Sequence, residues 1–402
     1  MKLNLYDICD EKLNKASIKV VLNKELKTKL NKSVEVLKTK VTFKELSNRL
    51  NVKYCSLWRY LNSNSIPLLL LKTIEDQTKI KFQEKIKELE VRKEKIKVVD
   101  KINENLAKIM GTIIADGHLR KRKSARGFHY ELIVREEYKS NLNALSNWIY
   151  NIFKIKTTPI KKDNHYFIYI SNKIVFNFFN LVIKIPKGNK SGIVTVPESI
   201  KKSNLEIKKA FLQGIFMFDG GVEYRTGYVD LISKSQKLIE GVLKILKEIG
   251  LEPDFIGLKP DKFGRYKIRF RKKSKLIRCI QLFQKNTEKW FRLNEHLYGL
   301  NSTTKNLKIA IRQFDLIYPK KRKSSVTFSD IIKIIQRLKE ANLNEVSKEL
   351  KRNKTVTYEY LKKLENWKIL ISKRKALKKI YKFNKLLKIP RRKILNGRKN
   401  CR

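Results

Sequence analysis

The chain has 402 residues, of which 93 are Lys or Arg and 38 are Asp or Glu, giving a formal charge of +55. Its 42% hydrophobic and 10% aromatic content excludes a disordered basic tail, and no apolar run approaches the ~18 residues of a membrane span. Self-repulsion at +55 calls for a polyanion, so nucleic acid is the expected partner ahead of an anionic membrane surface.

The N-terminal stretch MKLNLYDICDEKL has no apolar signal region. Cys9, Cys55, Cys279 and Cys401 form no C-x-x-C pair, and His118, His129, His165 and His296 have no metal-ligand spacing. A reducing cytoplasm is the expected location. Thr42 with Glu45 three residues on reads as a capping box that starts a helix. Leu46 and Leu50 give that helix one apolar face, and Asn51-Val52 make a turn. Ser56–Leu61 then opens a second helix that carries Arg59. This order resembles helix-turn-helix domains whose recognition helix ends in R-Y-L-N and is followed by proline. The resemblance implies a DNA-binding domain over 1–78, with Arg59 facing the major groove. In Lys79–Lys97 (KIKFQEKIKELEVRKEKIK), Ile80, Ile86, Leu89 and Ile96 recur among charges. The expectation is a charged helical linker over 79–100.

An internal repeat follows. Leu106–His118 (LAKIMGTIIADGH) and Ala210–Gly221 (AFLQGIFMFDGG) both read Gly, four mostly apolar residues, Asp, Gly. Asp116 and Asp219 are 103 positions apart, a domain-sized interval. After the first come an extended stretch at Phe128–Val134, a helix at Tyr138–Phe153, strands at Thr157–Lys161 and Tyr166–Ile170, and a helix at Asn172–Ile183. After the second come Val222–Ile232, a helix at Ser235–Ile249, strands at Phe255–Leu258 and Tyr266–Phe270, and a helix at Ser274–Phe283. The fold class is therefore α+β. Two pseudo-symmetric αββαββα units are expected, over 101–195 and 196–318, forming a saddle.

On these residues, and on the stretch from Gly188-Asn189-Lys190-Ser191 through Val196-Pro197 to Gly214, residues of about 104–300 resemble the LAGLIDADG (DOD-type) homing endonuclease family in its single-chain, two-motif form. The resemblance implies that the motif helices pack at the centre, with their acids in the DNA minor groove and the sheets in the flanking major grooves. It implies catalytic and metal-ligand roles for Asp116 and Asp219, one acid per strand. The carbonyls of Ala115 and Phe218 would serve as further ligands for Mg²⁺ or Mn²⁺, ions that favour oxygen donors. It places a lysine near each active site, and the positions that come closest are Lys173 and Lys272 or Lys273. Arg120, Arg122, Arg265, Lys267, Arg269 and Arg271 alternate with apolar residues and are expected to face DNA. Gly111 with Ala115 offers the small face that close helix packing needs, whereas Met217 and Phe218 depart from the second motif, and Phe218 is expected to obstruct that packing. No Cys or Ser starts the chain and no His-Asn ends it, as an intein requires, so a free-standing, monomeric enzyme is expected. The implied function is site-specific cleavage of double-stranded DNA. The alternatives are a non-cleaving DNA-binding regulator and an RNA-binding intron maturase.

Ile317–Lys323 (IYPKKRK) marks a hinge, and residues 319–402 are densely basic. A short helix at Asn344–Leu350, a turn at Arg352-Asn353, a helix at Thr355–Leu364, Trp367 and the extended Ile369–Ile371 resemble a winged helix-turn-helix. That implies a second DNA-binding domain with Lys354 among its contacts. The acid-free run Asn366–Arg402 suits phosphates.

Overall fold

The computed structural model describes residues 3–9, 18–39, 41–50, 52–125, 127–223, 226–285, 287–298, 328–366, 369–375 and 378–384. The chain forms two compact units: residues 1–221 with 228–284, and residues 222–227 with 285–402. No helix among the described residues is long and apolar enough to cross a membrane.

The first unit begins with β1 (Lys19–Val21), α1 (Lys24–Lys38), α2 (Phe43–Arg49), α3 (Tyr54–Asn62), β2 (Ser65–Pro67) and α4 (Leu68–Thr78). The capping box at α2 is present: the Glu45 N–H donates to Thr42 Oγ1, and the Thr42 N–H donates to Glu45 Oε2 at 2.8 Å. Leu46, Leu50 and Leu57 are buried between α2 and α3, while Trp58 of α3 is 60% exposed.

Residues 79–100 are not the helical linker expected. Lys79 closes α4 in the left-handed region, and β3 (Glu88–Val91) and β4 (Glu94–Lys97) follow as an antiparallel hairpin. The reason is a period of two: Leu89 and Val91 of β3 and Ile96 of β4 point inward, and the charges between them point out. Arg92 and Lys93 make the two-residue turn at positive φ (50° and 71°). The hairpin completes a sheet of order β2-β1-β3-β4, so 79–97 belong to the N-terminal layer. That layer is fastened to the next one by Asn172 Nδ2, which donates to Glu94 Oε2, and by Asn177 Nδ2, which donates to the Ile8 carbonyl at 2.8 Å.

The two expected αββαββα units are present. The first comprises α5 (Glu104–Ala115), β5 (Gly117–Ser124), β6 (Gly127–Glu136), α6 (Lys139–Phe153), β7 (Ile160–Lys162), β8 (His165–Ser171) and α7 (Lys173–Asn177), which runs into a π-turn ending at Val182. After α8 (Glu198–Lys201), the second comprises α9 (Leu205–Phe218), β9 (Gly220–Val222), β10 (Val229–Ser233), α10 (Gln236–Glu248), β11 (Phe255–Gly257), β12 (Tyr266–Phe270) and α11 (Lys273–Cys279). Their sheets share one topology, β5-β6-β8-β7 and β9-β10-β12-β11. The single extended run expected at Val222–Ile232 is divided, with Gly227 at φ 69° between its parts.

Asn103 and Asn204 cap α5 and α9 by accepting the N–H groups of Leu106 and Ile207, each at 3.0 Å. Both helices are apolar around most of their circumference, and their buried residues include Ile109, Met110, Ile113, Phe211, Leu212 and Ile215. A helix apolar on all sides belongs at a centre. The two cross at Gly111 and Gly214, where backbone meets backbone.

The second unit contains α12 (Glu288–Tyr298), α13 (Phe328–Leu338), β13 (Glu340–Asn342), α14 (Leu343–Leu350), α15 (Lys354–Asn366), β14 (Leu370–Lys375) and β15 (Lys378–Phe383). A sheet of order β13-β15-β14 packs with these helices around Phe328, Ile331, Ile335, Val346, Leu361 and Tyr381. The basic hinge at 320–323, Trp367 and the tail beyond residue 384 lie outside the described residues.

Candidate active site

Asp116 and Asp219 occupy the C-caps of α5 and α9. Their N–H groups donate to the carbonyls of Thr112 (3.1 Å) and Ile215 (2.9 Å). Each is followed by a glycine with no room for a side chain: a Cβ on Gly117 would press on the Ile113 backbone, and one on Gly220 on the Phe216 backbone. The Asp-Gly pair therefore ends the helix and sends the chain straight into a strand, with the carboxylate at the corner. Asp116 is exposed and Asp219 half-buried.

Lys190, from the stretch before α8, feels the negative charge of both acids. It is 8% exposed, and its Nζ donates to the carbonyls of Ile114 (2.5 Å) and Ala115 (2.8 Å). Burial pushes its pKa below the ordinary lysine value; the negative charges of Asp219 and then Asp116 act against that shift without cancelling it. In the sequence this lysine falls within the family-like stretch Gly188–Ser191. Its lone signal was that stretch.

The sign of the shift makes a prediction. A lysine whose folded pKa is depressed binds its proton less well in the native state than in the unfolded chain. Stability therefore rises with pH between the lowered pKa and the ordinary value near 10.5. Lys190→Met removes the cost of a buried ammonium and should unfold within about 1 kcal/mol of the wild type at neutral pH, or above it. It should also lack the rise in stability on the alkaline side. Thermal melts from pH 7 to 10 check both, and a Met variant several kcal/mol weaker would contradict them.

The other candidates divide. The Ala115 carbonyl is the Lys190 acceptor. Phe218 is buried and, against expectation, does not obstruct the helix pair, because the small residues at the crossing are Gly111 and Gly214, one turn before Phe218. The preceding Met217 carbonyl accepts from Asn141 Nδ2 of α6 at 3.3 Å. Lys173 and Lys273 hold equivalent places as first residues of α7 and α11, with Lys272 the N-cap before Lys273. Lys173 lies against Tyr130 of β6. Its ammonium lies 5.6 Å from the Tyr130 ring centroid, and its charge also acts on the Cys9 thiol. Lys272 and Lys273 are exposed, and Asp254 holds the backbone there by accepting the N–H groups of Arg271 (2.6 Å) and Lys272 (2.9 Å).

The sheets show the alternation expected. In β12, Ile268 and Phe270 are buried, and Lys267 and Arg269 lie on the other face. Arg265 and Arg271 flank the strand: Arg265 pairs with Asp261, and Arg271 lies over the rings of Phe255 and Tyr228. In β5, Gly117 and Leu119 are buried, while Arg120 and Arg122 face away. Arg59 on α3 and Lys354 at the start of α15 are exposed.

A family model described as a LAGLIDADG-like domain matches residues 206–278, which run from the first turn of α9 into α11. Those residues of the chain are a LAGLIDADG-like domain. The model match falls on the second LAGLIDADG unit, and the first repeats its element order and sheet topology. The chain is 33% identical over 196 residues to the replication factor C small subunit of Methanocaldococcus jannaschii, covering 43% of this chain and 10% of that protein. It is 28% identical over 151 residues to the DNA polymerase of Thermococcus hydrothermalis, covering 37% of this chain and 8% of that one. It thus spans a tenth or less of each of these relatives, and their named activities say nothing of its own. Among solved structures it is similar to the homing endonuclease I-DmoI in complex with DNA and Mn, at 20% identity and a TM-score of 0.35, covering 44% of this chain and 96% of that one.

Proposed function

We propose that this LAGLIDADG chain is a site-specific endonuclease that makes a double-strand break in DNA with the help of a divalent metal ion. The observation that carries this is the pair of helix ends, Asp116 on α5 and Asp219 on α9, borne by two helices that cross backbone to backbone, with the charge of both acids acting on the buried Lys190 ammonium. A pair of acids that shares a fixed cation at the seam of a +55 chain suits phosphodiester chemistry.

The donor set fits Mg²⁺ or Mn²⁺. Two carboxylates and the carbonyls of Ala115 and Phe218 beside them are all-oxygen donors, the kind such ions favour. Among the described residues no group of three or more His, Cys, Asp or Glu could hold a metal alone, which suits an ion that keeps waters and takes phosphate oxygens as ligands. When bound, the ion would activate the attacking water and neutralise charge on the leaving oxygen. Asp116 and Asp219 would each hold such an ion, one for each strand. Lys190 stabilises the extra negative charge on the phosphate in the transition state. Lys272 and Lys273, on the exposed start of α11, contact phosphate.

The surrounding elements extend the footprint. Residues 3–78 present α3 as a recognition helix with Arg59 and the exposed Trp58. The order of α14, α15 and the β14–β15 strand pair supports reading them as a winged helix-turn-helix, with Lys354 at the start of its recognition helix. Both halves of the active site lie in one chain, so a monomer can cut both strands, and its place is the cytoplasm. One observation favours a second reading, a DNA-binding regulator that does not cut: the Lys190 ammonium takes the Ala115 carbonyl that a metal would use.

The test is a plasmid library of genomic DNA incubated with the full chain in Mg²⁺ or Mn²⁺ and in EDTA. Discrete cuts with either ion and none in EDTA are expected. Lys190→Met should cut roughly 10²- to 10³-fold more slowly, the usual effect of losing one fixed electrostatic donor. Tight, salt-sensitive binding with no cut under either ion would establish the regulator instead.

A further inference from the structure

Each sheet carries the same device on the face turned away from its buried side chains. In the first, Glu131 of β6 lies opposite Arg120 of β5 in the register, and its side chain is 11% exposed. Arg120 donates Nε to Glu131 Oε2 at 2.7 Å, its Nη2 lies 2.7 Å from the same oxygen, and Arg122 reaches Oε1 at 3.3 Å. In the second, Asp230 of β10 lies opposite Arg269 of β12, and its side chain is 14% exposed. Arg269 donates Nε to Oδ1 at 2.5 Å and Nη2 to Oδ2 at 2.7 Å, and Lys267 reaches Oδ2 at 3.0 Å. Burial pushes the Asp230 carboxyl up, but the hydrogen bonds from Arg269 and Lys267 outweigh it and leave the pKa below the usual carboxylate value.

A carboxylate at the middle of a face that meets a polyanion weakens binding to phosphate, so an acid there in both halves needs another use. A guanidinium has two edges that donate in pairs, the Nε/Nη2 side and the Nη1/Nη2 end. The acids engage the side of both arginines. That fixes the plane of the guanidinium and removes rotamer freedom from a long side chain. In a major groove, the pair of acceptors that matches an arginine end is O6 and N7 of guanine. We propose that Arg120 and Arg269 read guanine, one in each flanking major groove, and that Glu131 and Asp230 are positioning residues that aim them. The same acids repel phosphates that approach in a wrong register, so they sharpen choice at the expense of general affinity. This inference rests on the duplex-DNA reading above.

The experiment selects duplexes from a randomised library with the full chain in EDTA at fixed salt, then measures affinity for the selected site and its single-base variants. The wild type should prefer guanine at one position in each flank. Arg120→Lys should lose that preference in one flank and Arg269→Lys in the other. Glu131→Gln and Asp230→Asn should keep or raise affinity for random duplex, yet weaken the guanine preference at the matching position roughly tenfold, within the range of a bidentate arginine–guanine pair. An acid that serves the fold alone would lower affinity for all sequences alike. That outcome overturns the inference, as does full base preference in both acid variants. A cytosine preference that follows the acid and ignores the arginine also overturns it. A wild-type chain that binds no duplex at any salt would instead remove the duplex-DNA reading itself.

Discussion

Asparagine at position 219 should leave the protein folded and able to bind its site, but able to cut only one DNA strand. A supercoiled plasmid carrying the site would then stop at the nicked circle where the wild type gives linear product. The substitution keeps the size of the side chain at the end of α9 and removes its charge. The helix itself loses nothing, because a carboxylate at a helix C-terminus is opposed by the backbone dipole. What is lost is a charged oxygen ligand, with several kcal/mol of stabilisation of the reacting phosphate, or roughly 10³-fold in the rate on that strand. Asp116→Asn should nick the opposite strand, and the double variant should bind without cutting. Asp116 is exposed and Asp219 half-buried beside Phe218, so the two half-reactions need not run at equal rates in the wild type. Linear product from Asp219→Asn at the wild-type rate would sink the assignment of one acid to each strand.

Much of this arrangement was legible in the sequence because its signals are local. The Asp-Gly pairs stop helices in both repeats, and the following elements fall close to where the apolar periods place them. Thr42 with Glu45 marks the start of α2, and Asn342 with Glu345 repeats the device at α14, since a capping box lies within four residues of chain. What the sequence hid depends on contacts distant along the chain. Leu89, Val91 and Ile96 fit a helix or a strand equally over so short a run, and the turn at Arg92-Lys93 lacks the Asn or Gly that usually announces a hairpin. The partner of Gly111 is Gly214 on another helix and not Ala115 on its own, and nothing in one helix reveals that. Lys190 is one of 93 basic residues, and what marks it is the pair of α5 carbonyls that its ammonium reaches. The register that sets Glu131 against Arg120 and Asp230 against Arg269 likewise needs two strands.

That dependence on the crossing of α5 and α9 makes Gly214→Ala the most informative stability variant. A methyl group there would meet the Lys108 carbonyl oxygen well inside van der Waals contact, with the Lys108 carbonyl carbon at 2.9 Å and the Gly111 Cα at 3.1 Å. On Gly111 a methyl would press on the Phe211 carbonyl oxygen and come within 2.9 Å of the Ile215 nitrogen. These are backbone atoms of the opposing helix, which no rotamer change can move aside, so the helices themselves must part. Forced overpacking usually costs about 1–3 kcal/mol and more where the surroundings are rigid, and Gly214→Ala should stand at about 3 kcal/mol or above. Gly192→Ala is the control: it has nothing within 4 Å of its added carbon and should change stability by about 0.5 kcal/mol or less. The loss should extend beyond stability. α5 carries Asp116 and the Lys190 acceptors at its end, and α9 carries Asp219, so helices held apart pull Asp219 away from Asp116 and from the ammonium. A displacement of 1 Å at reacting groups costs on the order of 10² in rate. Gly214→Ala that melts with the wild type and cuts at its rate would show that this crossing does not set the spacing of the acids.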